Sequence, residues 1–254
     1  MKISVVIPCY NEELWVSQAV NLLLACQSVS QIICVNDGSK DKTEAVLASF
    51  GQKITLISYK KNRGKGYAMS QGIMAAKEKI VVFMDAHHLN VKESHLQALT
   101  APLLKNYDCV LGVTIINILP DPFWRFTGFR AYRKADLLLY LQEMEKSRFG
   151  VETYLNDVFK DKKTKVIKFK DLIHLVKQQI MPPEKMLRGY LLEFREMAKT
   201  MAKTKGFDYE KVKDLLDPGK IKSVRSLKRR IAKINNKGLL GLIKKYILAY
   251  LTTS

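Results

Sequence analysis

Ile80-Val81-Val82-Phe83-Met84-Asp85-Ala86-His87-His88 sets five apolar residues directly before an acid and two imidazoles. An apolar run of that length, with no alternating polar positions, suits a strand buried on both faces, as in a parallel sheet. Earlier runs have the same form at Ile3 to Ile7, Gln31 to Val35 and Ile54 to Ser58. The segments between them are long enough for crossover helices. Glu12 to Cys26 places Trp15, Ala19, Leu22 and Leu23 at helical spacing, and Asp41 to Phe50 repeats the pattern more weakly. Strands alternating with helices predict an α/β fold with a mainly parallel sheet covered on both faces.

Downstream, the pattern predicts a strand at Cys109 to Val113 and a loop across the sheet's carboxyl edge from Pro120 to Gly128. A helix is expected from about Arg133 to Lys146, another opening near Glu152, and a strand at Lys165 to Lys170. After Pro182-Pro183 the chain reads as helical and basic to its end. A soft boundary near residue 180 therefore separates a first domain, 1–180, from a basic helical C-terminal extension, 181–254.

With 254 residues, 47% of them hydrophobic, the chain can bury a substantial core. A formal charge of +19 calls for a negatively charged partner: a membrane surface, a nucleic acid or a phosphorylated substrate. About half of the excess lies between Met201 and Ser254, with fourteen Lys or Arg against four Asp or Glu. Cys9, Cys26, Cys34 and Cys109 have no paired spacing, and no secretory pattern precedes Ile3, so the expectation is reduced thiols in the cytoplasm. No run reaches the roughly eighteen apolar residues of a transmembrane helix.

Ligands of open α/β sheets bind beyond the carboxyl ends of the strands, so the residues just after each run matter most. Here they are Pro8-Cys9-Tyr10-Asn11-Glu12, Asn36-Asp37-Gly38-Ser39, Asn62-Arg63-Gly64-Lys65-Gly66 and Asp85-Ala86-His87-His88. Each segment alone is a weak signal. Four in order, converging on one crevice, are a strong one.

Taken together they resemble the family 2 glycosyltransferases of the GT-A fold, a Rossmann-like sheet, over residues 1 to about 175. The carrying motifs are Val6-Ile7-Pro8-Cys9-Tyr10-Asn11-Glu12, Asn36-Asp37-Gly38-Ser39-Lys40-Asp41-Lys42-Thr43 and Asn62-Arg63-Gly64-Lys65-Gly66. Where the family has Asp-x-Asp, this chain has Asp85-Ala86-His87. The resemblance implies a nucleotide-sugar donor half at 1–90 and an acceptor half at 91–180. It puts Pro8, Tyr10 and Glu12 around base and ribose, with Asp37 accepting a hydrogen bond from a uracil or guanine ring NH. Asp37 also reads as an Asx-type turn residue beside Gly38. Arg63 and Lys65 bring positive charge to the diphosphate, and Gly64 and Gly66 allow close backbone approach.

Asp85 and His87, with Ala86 between them, are the expected holders of a divalent cation, Mn²⁺ or Mg²⁺. The imidazole tilts the choice toward Mn²⁺ and makes binding fall at low pH. Gly128 to Arg133 resembles the segment that closes over both substrates, where Arg130 or Arg133 would meet phosphate oxygens. Phe149-Gly150-Val151-Glu152 resembles the segment presenting an acid at the reacting centre. Glu152 is then general base for an acceptor hydroxyl, or an orienting or helix-start carboxylate if the acceptor is a lipid phosphate. His174 is a further ligand candidate or an ordinary structural histidine.

The expected activity is inverting transfer from a UDP- or GDP-sugar to a lipid-linked or glycan acceptor. Gly238 to Leu251 lines up Leu239, Leu242, Ile243, Tyr246, Ile247 and Tyr250 just after the basic cluster Arg225 to Lys233. That pattern suits either an anionic membrane surface, with the enzyme peripheral at its inner face, or packing against protein. No nucleic-acid motif accompanies the charge. The competing reading is a non-catalytic scaffold that kept the sugar-nucleotide fold, or a membrane-binding protein.

Overall fold

The computed structural model describes residues 1–116, 119–120, 126–174, 183–205, 208–221 and 223–232. It divides into two compact units, Met1–Leu175 and Val176–Ser254.

The first unit is built on strands β1 (Ile3–Cys9), β2 (Val29–Asp37), β3 (Thr55–Tyr59), β4 (Ile80–Phe83), β5 (Cys109–Ile116), β6 (Leu119–Pro120), β7 (Arg130–Arg133) and β8 (Thr164–Phe169). These eight form one sheet in the order β3-β2-β1-β4-β7-β5-β6, with β8 also on β5. Strands β1 to β4 pair in parallel, whereas β7 runs antiparallel between β4 and β5. The order reverses at β1, which has β2 on one side and β4 on the other. That reversal opens a crevice at the carboxyl ends of β1 and β4, the usual ligand position in such sheets.

Both faces are buried. Val5 and Ile7 of β1 join Ile32 and Cys34 beneath α1 (Val16–Leu24) and α4 (Glu93–Thr100), while Val6, Ile33 and Val35 face α3 (Lys65–Ala75). The second layer also includes Met144 of α6 (Leu141–Ser147) and Val151 and Leu155 of α7 (Val151–Val158). Helix α1 has no side-chain cap, a shortfall of about 1 kcal/mol. It buries Val16, Ala19, Val20 and Leu23, and each larger one contributes about 1.5–3 kcal/mol, so packing rather than capping holds it. Gly72 lets α3 lie directly on β1, since a Cβ there would meet Val6 Cγ1 at 2.2 Å.

One expectation needs correction. The helix expected from Arg133 to Lys146 is two, α5 (Lys134–Leu138) and α6, and Arg133 ends β7 instead. Tyr140 lies at the break, with its ring 5.8 Å from that of Phe159 and 6.4 Å from that of Tyr154, so aromatic packing redirects the chain. The loop expected from Pro120 to Gly128 falls partly outside the described residues; within them, Leu119–Pro120 pairs with Ile115 and Ile116. All four cysteines are buried and free.

In the second unit the described helices are Pro183–Lys205, Tyr209–Leu215 and Val224–Ala232. Asp214 anchors both Lys220 and Arg230. The amphipathic segment Gly238 to Leu251 lies outside the described residues. No helix among the described residues is long and apolar enough to cross a membrane.

Candidate active site

The loops after β1 and β2 are stitched together at the crevice. Asn11 N–H donates to Ser39 Oγ at 3.0 Å, Lys40 N–H to Asn11 Oδ1 at 2.8 Å, and Glu12 N–H to Thr43 Oγ1 at 2.7 Å. Asn11 takes φ 58°, a left-handed turn that asparagine tolerates. Tyr10 is exposed, and Pro8 and Glu12 are half-buried.

Asp37 is buried and uses both oxygens to fasten the basic loop, accepting from Arg63 N–H at 2.7 Å and Gly64 N–H at 2.8 Å. Sequence reading assigned it to the base and missed this duty. Arg63 stacks on the Tyr67 ring, 3.5 Å from its centroid. Arg148 braces the loop from the other side through Asn62 Oδ1 at 3.0 Å and Arg63 O at 3.3 Å. Its backbone has φ 51°, a strained conformation of the kind that persists only where surroundings over-determine it. Gly64 and Gly66 leave no room for a side chain: Cβ atoms there would lie 2.8 Å from Arg148 Cα and 2.0 Å from Met144 O.

Lys65 opens α3 and reaches into the crevice. Its Nζ lies 2.7 Å from Asp85 Oδ1 and 2.6 Å from Glu152 Oε1, with side-chain exposures of 16, 14 and 5% for the three residues. The Lys65–Glu152 contact is an ion pair. Burial alone would push Lys65 toward neutrality, but Asp85 and then Glu152 more than offset it and raise its pKa. Burial likewise pushes Asp85 up, and Lys65, followed by the three nearby histidines, drives it well below the carboxylate range. Glu152 sits in the first turn of α7, so it is both a helix-start carboxylate and a partner of Lys65.

Asp85, His87 and His174 each offer one ligand atom, all within 4.8 Å of one another. His174 Nε2 is 3.8 Å from Asp85 Oδ2 and His87 Nδ1 is 3.7 Å from Glu12 Oε1, both too long for hydrogen bonds. Both ring nitrogens are buried without a hydrogen-bond partner. An unsatisfied buried polar atom costs about 1–3 kcal/mol, a cost that a cation between these groups removes. One carboxylate and two imidazoles fit a divalent ion, and suit Mn²⁺ better than Mg²⁺. Burial keeps His174 well below the usual imidazole range, in the neutral form that can coordinate.

His88 does not join this set. It is buried, donates Nδ1–H to Asp85 O at 3.0 Å, and stacks between His174 at 4.4 Å and Phe129 at 5.3 Å. Gly128 lets backbone cover the carboxylate, since a Cβ there would sit 2.1 Å from Asp85 Oδ2. Ala86 is buried between the two ligand positions.

Arg130 and Arg133 are placed differently from expectation. Arg130, opposite Phe83, is fully buried and gives its guanidinium to Thr127 O at 2.5 Å, Asn156 Oδ1 at 3.1 Å and Tyr132 Oη at 3.3 Å. Arg133 pairs with Ile80 at the far edge, where it meets Asp108 and Asp136.

An uncharacterized glycosyltransferase of Rickettsia prowazekii is 35% identical over 113 residues, 43% of this chain and 35% of that protein. The dolichyl-phosphate beta-glucosyltransferase of Mus musculus is 32% identical over 99 residues, 34% of this chain and 31% of that protein. The matches thus span only about a third of these relatives' length. The glucosyl-3-phosphoglycerate synthase of Mycobacterium tuberculosis, solved with Mn²⁺ and UDP-glucose, shares the fold with a TM-score of 0.60 at 20% identity, over 82% of this chain and 80% of that one. The Glycosyl transferase family 2 profile matches residues 4–174, and the chain belongs to that family.

Proposed function

We propose that this chain transfers a sugar from a UDP- or GDP-linked donor to a lipid-linked or glycan acceptor, with inversion at the anomeric carbon. The observation that carries the reading is the meeting of Asp85, His87 and His174 at the carboxyl edge, with two buried ring nitrogens lacking partners and Lys65 beside them. The mouse relative's name, a dolichyl-phosphate glucosyltransferase, supports a lipid phosphate as acceptor. Structures of the mycobacterial synthase with Mn²⁺ or Mg²⁺ and UDP support a cation-assisted donor site.

A divalent cation held by Asp85, His87 and His174 would neutralise charge on the departing diphosphate. Tyr10, Pro8 and Glu12 line the nucleoside end of the crevice, and Asp37 holds the Arg63-Gly64 turn against it. Lys65, fixed between two carboxylates, stays protonated and sets positive charge beside the leaving oxygens. The acceptor oxygen attacks the anomeric carbon as the bond to the diphosphate breaks. For a hydroxyl acceptor, Glu152 takes its proton; a phosphate acceptor is already anionic and needs only to be oriented. The basic extension would hold the enzyme at an anionic cytoplasmic membrane face.

Calorimetric titration with UDP and GDP, each with and without Mn²⁺, on wild type and His87→Ala tests the reading. Metal-dependent binding of one nucleotide, weakened in the variant, is expected. Failure to bind either would leave the scaffold reading in its place.

A further inference from the structure

His174 reaches the cation set from a segment beyond the end of β8 at Phe169, outside the sheet that places Asp85. A ligand on such a segment must be ordered at about 1–2 kcal/mol per residue unless something already holds it. Asn90 does so on one side. Its Nδ2 donates to Asp171 O at 2.5 Å and its Oδ1 accepts from Ile173 N–H at 2.7 Å, so one side-chain amide takes the place of a neighbouring strand. Leu89 N–H donates to Ile173 O at 3.0 Å, and His88 and His174 form an antiparallel bridge.

Asp171 closes the clamp from the other side. Its Oδ1 lies 3.0 Å from His95 Nε2, and its Oδ2 3.2 Å from Lys92 Nζ. His95 Nδ1 accepts Lys92 N–H at 3.2 Å, which leaves the ring proton on Nε2 to be donated to Asp171. The Lys92 pair is exposed, 59% on each side, and such pairs contribute little. His95 is 3% exposed with its ring against Phe169 at 5.0 Å, so it is the fixed point.

We propose that Asn90, His95 and Asp171 are positioning residues that hold His174 in the cation set while touching no ligand atom themselves. The inference rests on Asp85, His87 and His174 forming that set. Residues outside a metal's ligand shell that orient its ligands typically change affinity 10- to 100-fold.

Mn²⁺ titration of the full chain, followed by the paramagnetic resonance of the free ion, tests this. The variants are Asn90→Ala, Asp171→Ala, His174→Ala, Asp85→Asn and the double variant Asn90→Ala/His174→Ala, with melting temperatures as a check on folding. Asn90→Ala and Asp171→Ala are expected to weaken Mn²⁺ about 10- to 100-fold. The double variant is expected to bind no more weakly than His174→Ala alone, because the clamp acts only through that ligand. Losses that simply add would mark a general structural role and overturn the proposal, as would unchanged affinity in both clamp variants. If wild type bound no Mn²⁺, or Asp85→Asn bound it undiminished, the cation site itself would fall and the clamp's role with it.

Discussion

At each edge of the sheet one cation stands between two carboxylates. At the amino edge Arg133 meets Asp108 at 2.6 Å and Asp136 at 2.8 Å, with exposures of 34, 28 and 35%. At the carboxyl edge Lys65 meets Asp85 at 2.7 Å and Glu152 at 2.6 Å, with exposures of 16, 14 and 5%. The first triad ties β7 to the turn before β5 and gives Leu103 O and Tyr107 O their donors. The second is backed by three imidazoles, two with buried nitrogens lacking a partner. Desolvating charge is costly, and strongly perturbed ionisable groups cluster at functional sites. The first arrangement is half-exposed, whereas the second is more deeply withdrawn from water.

The comparison can be broken most forcefully at its two cations. Lys65→Met strands two buried carboxylates and is expected to destabilise the protein by about 3–5 kcal/mol in chemical denaturation. Equal loss from Arg133→Met would erase the distinction. Next in size, Asp85→Asn should lower turnover about 10²- to 10³-fold, the usual cost of one group that stabilises developing charge. Asp108→Asn should leave turnover within a factor of about two, since its partner Arg133 pairs with Ile80 at the edge of the sheet away from Asp85.

A smaller effect should appear in the pH dependence of stability. Burial pushes His88 down to about 4, well below the usual imidazole value, against the pull of Asp85. The folded state therefore binds fewer protons than the unfolded chain. His88 contributes fully above pH about 6.5, and its contribution drains as pH falls toward 4, by about 3 kcal/mol in all. Denaturation midpoints of wild type should fall more steeply across that window than those of His88→Phe; parallel curves would contradict the assignment. Smallest of all should be the effect of Arg133→Met on the site: it should leave nucleotide affinity unchanged and cost less stability than Lys65→Met.

Strands buried on both faces announce themselves, and β1, β2 and β4 were legible for that reason. Arg130-Ala131-Tyr132-Arg133 was not, because a strand with an arginine at each end looks like a loop until Asn156, Thr127, Asp108 and Asp136 are seen around it. The same holds at the site. Asp85 and His87 were readable because they alternate directly after an apolar run. The grip of Asp37 on Arg63 and Gly64, the salt bridges of Lys65 and the arrival of His174 depend on contacts distant in sequence, which local pattern does not encode. The turn at Tyr140 was hidden likewise, since its cause is ring packing rather than helix propensity.

A cation-assisted donor site at the carboxyl edge can be located by anomalous scattering from crystals grown with Mn²⁺ and UDP. A single strong peak is expected among Asp85, His87 and His174, with the diphosphate density beside Lys65. A peak elsewhere, or UDP bound in the crevice with no cation at these three side chains, would contradict it.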